Sequence, residues 1–129
     1  KTQVKNIFLV GDAATQVKAT TAGGIIQGMM AAEALADTII NGGDYEKKWK
    51  KRVGKDLYLS LIMRRVMDKF SNEDYNYLVK IFQKPANKEI LEKFDRDYPS
   101  KFLFKLMLKE PRFLAFAKLV YKFRVGDFF

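Results

Sequence analysis

One carboxylate lies where a short apolar strand gives way to a glycine-bearing loop and an apolar helix. Residues 7–10, IFLV, form an apolar run that is typical of a buried parallel strand. Gly11 ends this run and Asp12 follows it, before a loop and a helix whose first amides lie around residues 24–27. Such amides have no intrahelical partner and carry partial positive charge. This arrangement favours binding of an anion or of an electron-rich ligand edge.

At these residues the sequence resembles a known family. The string GDAATQVKATTAGGI, residues 11–25, is similar to the second flavin-binding motif of the geranylgeranyl reductase family, FAD-dependent oxidoreductases built like p-hydroxybenzoate hydroxylase. The resemblance implies that Asp12 accepts hydrogen bonds from hydroxyls of the FAD ribityl chain. It also implies that amides near Gly23 and Gly24 face the pyrimidine edge of the flavin. The cofactor-binding residues that it implies are Gly11, Asp12, Ala13, Val17, Gly23, Gly24 and Ile25.

Three loop residues depart from the family pattern. Thr15 and Ala22 stand where the family has glycine, and Ala19 stands where proline is common. The Cβ atoms of Thr15 and Ala22 predict a loop that leaves less room for a ligand. The absence of proline at Ala19 predicts a loop that is more mobile in the unbound protein. Gln16 and Lys18 lie in the same loop, and we expect them to touch the flavin ring or phosphates.

The resemblance also implies an activity. Members of the family reduce carbon-carbon double bonds of geranylgeranyl chains in isoprenoid lipids or lipid precursors, with reduced FAD as hydride donor. The catalytic residues stay unknown, and Tyr45, Tyr58 and Lys18 are proton-donor candidates by residue type only. Neither a nicotinamide motif nor an iron-sulfur ligand set identifies the reductant. Two alternatives remain open: a flavin monooxygenase, and a non-enzymatic basic helical module that binds membrane or nucleic acid.

The sequence contains no GxGxxG motif for the ADP half of FAD. A single buried parallel strand also needs neighbours for its backbone. We therefore interpret residues 1–43 as the carboxy-terminal part of an FAD-binding domain, and residues 44–129 as a helical carboxy-terminal region. We expect this chain to be the carboxy-terminal part of a longer flavoprotein, inactive as an enzyme alone, and either self-associating or mobile at its uncovered surfaces.

The pattern predicts a mainly α chain with one amino-terminal strand, and the resemblance implies that this strand belongs to the α/β FAD-binding domain of a longer protein. Asn41, Gly42 and Gly43 signal the end of the first helix, Asp44 the start of the second, and Ser71 with Asp74 a capping box. Gly54 marks a weak point or kink. The predicted elements are a strand at 6–10 and helices at 25–40, 44–70, 71–84, 87–95, 100–109 and 111–123.

The composition restricts the chemistry. The chain has no cysteine and no histidine, which excludes thiolate zinc sites and removes the commonest metal ligand, so we expect no metal site here. A net charge of +9 implies attraction to polyanions. The basic run at 47–55 shares its segment with apolar residues at four-residue spacing. This pattern is typical of an amphipathic helix with a solvated basic face, with peripheral membrane contact as the alternative and no specific nucleic-acid motif. We expect a cytoplasmic protein.

The last third of the chain is both aromatic and basic. One interpretation is that helices close the core there and point their lysines outward. The other is that they form the wall of a hydrophobic tunnel, or a surface that dips into a bilayer. The family resemblance favours the second interpretation, because an isoprenoid substrate must pass from the membrane to the flavin.

Overall fold

The computed structural model describes residues 1–95 and 97–109. It contains two compact units, Lys1–Leu61 and Ile62–Phe129. The described part is mainly helical, as the sequence predicts, and it has a small two-stranded sheet at the amino terminus. The domain boundary expected after residue 43 stays a prediction.

The amino terminus forms a hairpin. Strand β1, Gln3–Val4, pairs antiparallel with β2, Ile7–Phe8, and Lys5 in the turn adopts a φ of 51°. The strand predicted at 6–10 is thus present over two residues, and its partner within this chain is antiparallel. The parallel neighbours and burial expected in a longer protein stay predictions. The tight turn brings β1 alongside as an antiparallel neighbour, and Ile7 is 69% exposed.

Helix α1, Ile25–Asn41, follows a 3-10 turn at Gly11–Ala14 and an irregular loop. It ends at Gly42, whose φ of 75° suits glycine and whose N–H donates to Thr38 O at 2.9 Å. The predicted helix and its glycine cap are confirmed. One face of α1 is buried, while apolar residues elsewhere on it are exposed: Ile25, Ile26, Met29, Ile39 and Ile40. The prediction that a larger body covers them stays a prediction.

The second predicted helix has three parts. Helix α2, Tyr45–Trp49, is capped by Asp44, whose carboxylate accepts from Lys47 N–H at 3.0 Å. A π-helical segment, Lys50–Gly54, leads into α3, Lys55–Met67. The irregularity expected at Gly54 is therefore a π-helical segment that ends there. A Cβ at Gly54 would lie 3.3 Å from Lys50 Cβ, which makes the small residue useful.

The core of the first unit lies between α1 and the helix that follows it. Small residues of α1 leave room for aromatic rings, and Tyr45 packs edge-on against Phe8 with ring centroids 5.9 Å apart. The Trp49 indole N–H donates to Thr2 Oγ1 at 2.8 Å, which joins α2 to the amino terminus. The buried apolar cluster comprises Ala31, Ala34, Tyr45, Trp49 and Val53.

The second unit contains α4, Asn72–Phe82, α5, Pro85–Lys93, and α6, Pro99–Lys109. The capping box of Ser71 and Asp74 is confirmed. Helices α5 and α6 begin one or two residues earlier than predicted because each takes a proline in its first position, where no N–H is needed. The helix predicted at 111–123 lies outside the described residues. Among residues 1–95 and 97–109, no helix is both long and apolar enough to cross a bilayer.

Candidate functional site

The Asp12 carboxylate lies at the amino terminus of α1. A Cβ added to Gly24, the N-cap residue, would clash with Asp12 Oδ1 and would lie 3.4 Å from Val17 Cβ. Only glycine leaves room for this packing. Gly28, one turn further along α1, lies against the same turn, since a Cβ added there would be 3.4 Å from Gly11 Cα. Because Gly24 and Gly28 have no side chains, the Gly11–Asp12 turn packs directly against the start of α1.

The loop between Asp12 and α1 closes on itself. Gln16 N–H donates to Gly11 O at 3.1 Å, Lys18 N–H to Gly23 O at 3.0 Å, and Ala22 N–H to Lys18 O at 2.8 Å. These backbone bonds fold the segment into two consecutive turns. The loop is therefore ordered by its own backbone.

The two positions where the family has glycine are left-handed here. Thr15 has a φ of 56° and Ala22 a φ of 54°. A residue with a Cβ is disfavoured in this region by about 1 kcal/mol or more. The turns still form, because backbone hydrogen bonds from Thr15 N–H to Asp12 O at 2.9 Å and from Ala22 N–H to Lys18 O support them. The two residues thus add strain to turns that their backbone hydrogen bonds hold in place.

Ala19, the third departure from the family pattern, makes a hydrogen bond to a side chain of α3. Ala19 N–H donates to Ser60 Oγ at 3.2 Å, and the Ser60 hydroxyl donates to Leu57 O at 2.8 Å. A proline at 19 could not make this bond because it has no N–H. Ser60, on α3, is almost fully buried. The extra mobility expected from the missing proline is therefore opposed by a hydrogen bond that only a non-proline residue can make.

A second buried network lies beneath the Gly11–Asp12 turn. Gly11 N–H donates to Gln16 Oε1 at 2.7 Å, Gln16 Nε2 donates to Tyr45 Oη at 3.1 Å, and Tyr45 Oη donates to Leu9 O at 2.9 Å. Gln16 and Tyr45 are both 0% exposed. The sequence pattern predicts Gln16 at the ligand and makes Tyr45 a proton-donor candidate. The structure instead commits both side chains to hydrogen bonds inside the protein.

The seven predicted cofactor-binding residues differ in how exposed they are. Asp12, Ala13 and Ile25 are exposed, whereas Gly11, Val17, Gly23 and Gly24 are partly buried. The structure brings Asp12, Val17 and Gly24 together at the start of α1. Lys18, expected at the ligand, is only 6% exposed, and its side chain packs beside Gly23, whose added Cβ would lie 3.2 Å from Lys18 Cε.

The chemistry of this site follows from two features. Asp12 offers exposed carboxylate oxygens, which accept hydrogen bonds from hydroxyl groups. Helix α1 begins at Gly24 without a side-chain cap, so its positive end is not satisfied by a capping side chain. The site therefore suits a ligand that combines hydroxyl groups with an electron-rich edge.

The basic run at 47–55 is largely neutralised by carboxylates. Lys48 Nζ lies 2.7 Å from Asp37, Arg52 Nη1 2.7 Å from Glu33, and Lys50 Nζ 2.7 Å from Glu46. The hydrogen bond from Lys48, with a second from Asn41, lowers the pKa of Asp37. The Lys48–Asp37 and Arg52–Glu33 pairs join this basic segment to α1. The pairing favours the interpretation of this run as a solvated face.

The second unit has a shallow groove of about 380 Å³. Ile90 and Phe94 supply apolar surface, and Lys105 Nζ lies 4.6 Å from the centroid of the Phe94 ring. Glu89 also lines the groove and pairs with Lys93 at 2.5 Å. Most of the aromatic and basic residues behind the tunnel-wall hypothesis lie outside the described residues or have undescribed side chains. That hypothesis therefore stays a prediction.

Comparison with known proteins identifies relatives of the chain. Digeranylgeranylglycerophospholipid reductase 2 of Methanothermobacter thermautotrophicus is 33% identical over 115 residues, which cover 78% of this chain and 30% of that protein. The protein of the same name from Methanopyrus kandleri is 29% identical, with 95% of this chain and 33% of that protein covered. Digeranylgeranylglycerophospholipid reductase of Methanococcus aeolicus is 31% identical, with 92% and 31% covered.

The chain thus spans about a third of the length of the curated relatives it matches. No family model matches it. No solved structure matches it either.

Proposed function

The chain belongs to the geranylgeranyl reductase family, and from that premise we propose that it is part of an FAD-dependent oxidoreductase acting on isoprenoid lipids. The substrate would be a geranylgeranyl chain of a lipid or lipid precursor, in which carbon-carbon double bonds are reduced. The names of the relatives support a phospholipid as the substrate class. Because the chain spans about a third of those proteins, the proposal concerns the longer protein, and we expect the isolated chain to be inactive.

The observation that carries the proposal is the position of Asp12 against Gly24, at the uncapped start of α1. The donors and acceptors there match the needs of a flavin cofactor. An exposed carboxylate can accept from ribityl hydroxyls, and helix-end amides can stabilise negative charge on the pyrimidine edge of a reduced flavin. The absence of a Cβ at 23 and 24 lets the Lys18 and Asp12 side chains pack against the backbone at the start of the helix. These residues therefore fit FAD.

When bound, FAD would supply the hydride chemistry. The residues of this chain would hold and orient the cofactor. Asp12 would fix the ribityl chain, and the first turn of α1 would stabilise charge without adding a group that titrates. Val17, packed at the same helix end, would contribute apolar surface beside the site. None of these groups is a proton donor, so we assign no residue of this chain to that role.

The partners follow from the same proposal. The principal one is the isoprenoid lipid, and a lipid substrate requires peripheral contact with a membrane. The exposed apolar residues of α1 support a further contact, either with the rest of the longer protein or through self-association of the isolated chain. Specific nucleic-acid binding is not part of the proposal.

The test is the flavin content of the full-length protein that contains this sequence. We expect near-stoichiometric FAD by visible absorbance in the wild type and a large loss in Asp12→Ala. Asp44→Ala is the matched control, because Asp44 is also a loop aspartate before a helix but caps α2. A wild-type protein without flavin would contradict the proposal. Oxygen-dependent nicotinamide oxidation without reduction of a geranylgeranyl lipid would support the monooxygenase alternative instead.

A further inference from the structure

The buried network beneath Asp12 connects residues that are distant in sequence. Gln16 lies in the loop, whereas Tyr45 opens α2, 29 residues further along. Tyr45 Oη uses its proton on Leu9 O and accepts from Gln16 Nε2. Because the tyrosine has one proton to donate, these two bonds fix which end of the Gln16 amide faces Gly11.

The network restrains the backbone on both sides of Asp12. Leu9 O is held three residues before Asp12, and Gly11 N–H is held by Gln16 Oε1 at 2.7 Å. Gln16 is itself four residues after Asp12, and its own N–H returns to Gly11 O. The location of the Asp12 carboxylate at Gly24 therefore depends on the bonds that converge on Gln16.

We infer that Gln16 and Tyr45 are positioning residues for the cofactor site: their hydrogen-bonded side chains hold the Gly11–Asp12 turn so that the Asp12 carboxylate meets the start of α1. This inference rests on the proposed function for the identity of the ligand, FAD. The two side chains act by holding the Gly11–Asp12 turn in place from the interior of the protein. Neither side chain reaches the ligand, because both are fully buried.

Burial explains why water does not replace the two side chains. The Gln16 and Tyr45 side chains are fully buried, so a hydroxyl or amide removed from them leaves its partner in the buried Gln16–Tyr45 bond unpaired, while the bonds to Leu9 O and Gly11 N–H are partly buried. In Tyr45→Phe the ring can still pack against Phe8, but Leu9 O and Gln16 Nε2 each lose a partner. In Gln16→Met, Gly11 N–H loses its acceptor. Each variant therefore removes a restraint on the Gly11–Asp12 turn: Tyr45→Phe releases Leu9 O, and Gln16→Met releases Gly11 N–H.

The test measures the FAD dissociation constant of the full-length protein by fluorescence titration after flavin removal. We expect Tyr45→Phe and Gln16→Met each to weaken FAD binding about five- to tenfold, the effect of losing one buried hydrogen bond. Thr2→Val is the matched control. It removes the acceptor of the buried Trp49 indole N–H and so destabilises α2, but it keeps the backbone bond from Leu9 N–H to Thr2 O and leaves the side-chain bonds of Gln16 and Tyr45 in place. We expect it to change FAD affinity less than about twofold.

Hydrogen exchange of the flavin-free protein provides a second measurement. Amides of the 11–16 segment should exchange faster in Tyr45→Phe and Gln16→Met than in the wild type and in Thr2→Val. Unchanged affinity and exchange in the two variants would overturn the inference, as would an equal loss of affinity in Thr2→Val. A wild type that binds no FAD would overturn the proposed function, and exchange alone would then decide whether the two residues hold the turn.

Discussion

The Asp12 carboxylate and the Cα of Gly24 are in such close contact that a Cβ added to Gly24 would clash with Oδ1. The Asp12 side chain therefore lies at the amino terminus of α1. The contact also explains why a glycine, whose backbone φ of −125° any residue could adopt, occupies the N-cap position. Space, rather than backbone conformation, selects the residue there.

Gly24→Ala should displace the Asp12 side chain, because real Cβ atoms do not approach an oxygen so closely. We expect the variant to lose most of its bound FAD in the full-length protein, as judged by the ratio of flavin to protein absorbance. Gly54→Ala is the control, since Gly54 lies in the π-helical segment and its Cβ would meet only the Lys50 side chain, at 3.3 Å from Cβ. Equal FAD retention in both variants would argue against a role for the Asp12–Gly24 contact.

Ala22→Gly should stabilise the protein. Ala22 has a left-handed φ of 54°, which glycine adopts without the Cβ penalty, and we expect a gain of about 0.5–1 kcal/mol in the free energy of unfolding. Ala13→Gly is the control, because Ala13 lies in the 3-10 turn and has no left-handed φ. It should destabilise by about 0.5–1 kcal/mol. Urea unfolding of both variants measures the difference, and a destabilised Ala22→Gly would contradict the strain argument.

Ala19→Pro should destabilise the loop, although proline is common at this position in the family. It removes the N–H that donates to the buried Ser60 Oγ. We expect a loss of about 1–2 kcal/mol by chemical unfolding. Ser60→Ala removes the same bond from the other side, so the double variant should lose less than the sum of the two single losses. Strictly additive losses would show that the two positions are not coupled.

The stability of the amino terminus should fall at acidic pH through Glu46. The hydrogen bond from Lys50, followed by that from Thr2 N–H, lowers the pKa of Glu46 below its ordinary value of 4.5. Since the folded pKa is lowered, its stabilising contribution is present above pH 4.5 and is lost as the pH falls through the folded pKa. Glu46→Gln should flatten this part of the stability curve measured by thermal unfolding.

Lys50→Gln should flatten the same part of the curve, because it removes the largest cause of the shift. Its effect and that of Glu46→Gln should overlap when the two are combined. A double variant whose changes in acid sensitivity simply add would contradict the assignment to this pair.

Membrane contact through the basic run should depend on Lys51 and Lys55, which are both exposed. Reversing both charges should reduce sedimentation of the protein with anionic vesicles at low salt, by weakening attraction to the lipid surface. Reversing Lys80 and Lys84, which are exposed on the second unit, is the control, because it changes the net charge by the same amount at a different surface. If the wild type does not sediment with such vesicles at low salt, peripheral binding through this face is wrong.

The local elements could be predicted from the sequence because short-range rules decide them. Gly42 ends α1 since it adopts a left-handed φ, and Asp44 and Ser71 cap the helices that follow them. The π-helical segment is visible in the sequence only as a weak point at Gly54, because a helical pattern does not distinguish the two hydrogen-bond registers. The hairpin escapes prediction because its two-residue strands are too short for an alternating pattern.

The type of site can be read from the amino-acid order alone. A Gly-Asp pair after a strand, followed by two glycines before an apolar helix, requires no long-range information to be noticed. The family resemblance marks Thr15 and Ala22 as departures from glycine, and both are left-handed in the structure. These features are local, because backbone conformation and helix ends depend on a few neighbouring residues.

The side chains that support the site emerge only when the chain is packed. Gln16 was expected at the ligand, yet it lies beneath the loop, where it joins Gly11 to Tyr45. Ser60 carried no signal at all, although it holds Ala19 from α3. The pairings arise because chain packing brings residues together across 29 and 41 positions, respectively. Packing then allows the hydrogen bonds of Gln16 and Ser60 to restrain the loop. The spacing of residues in the sequence does not reveal such bonds.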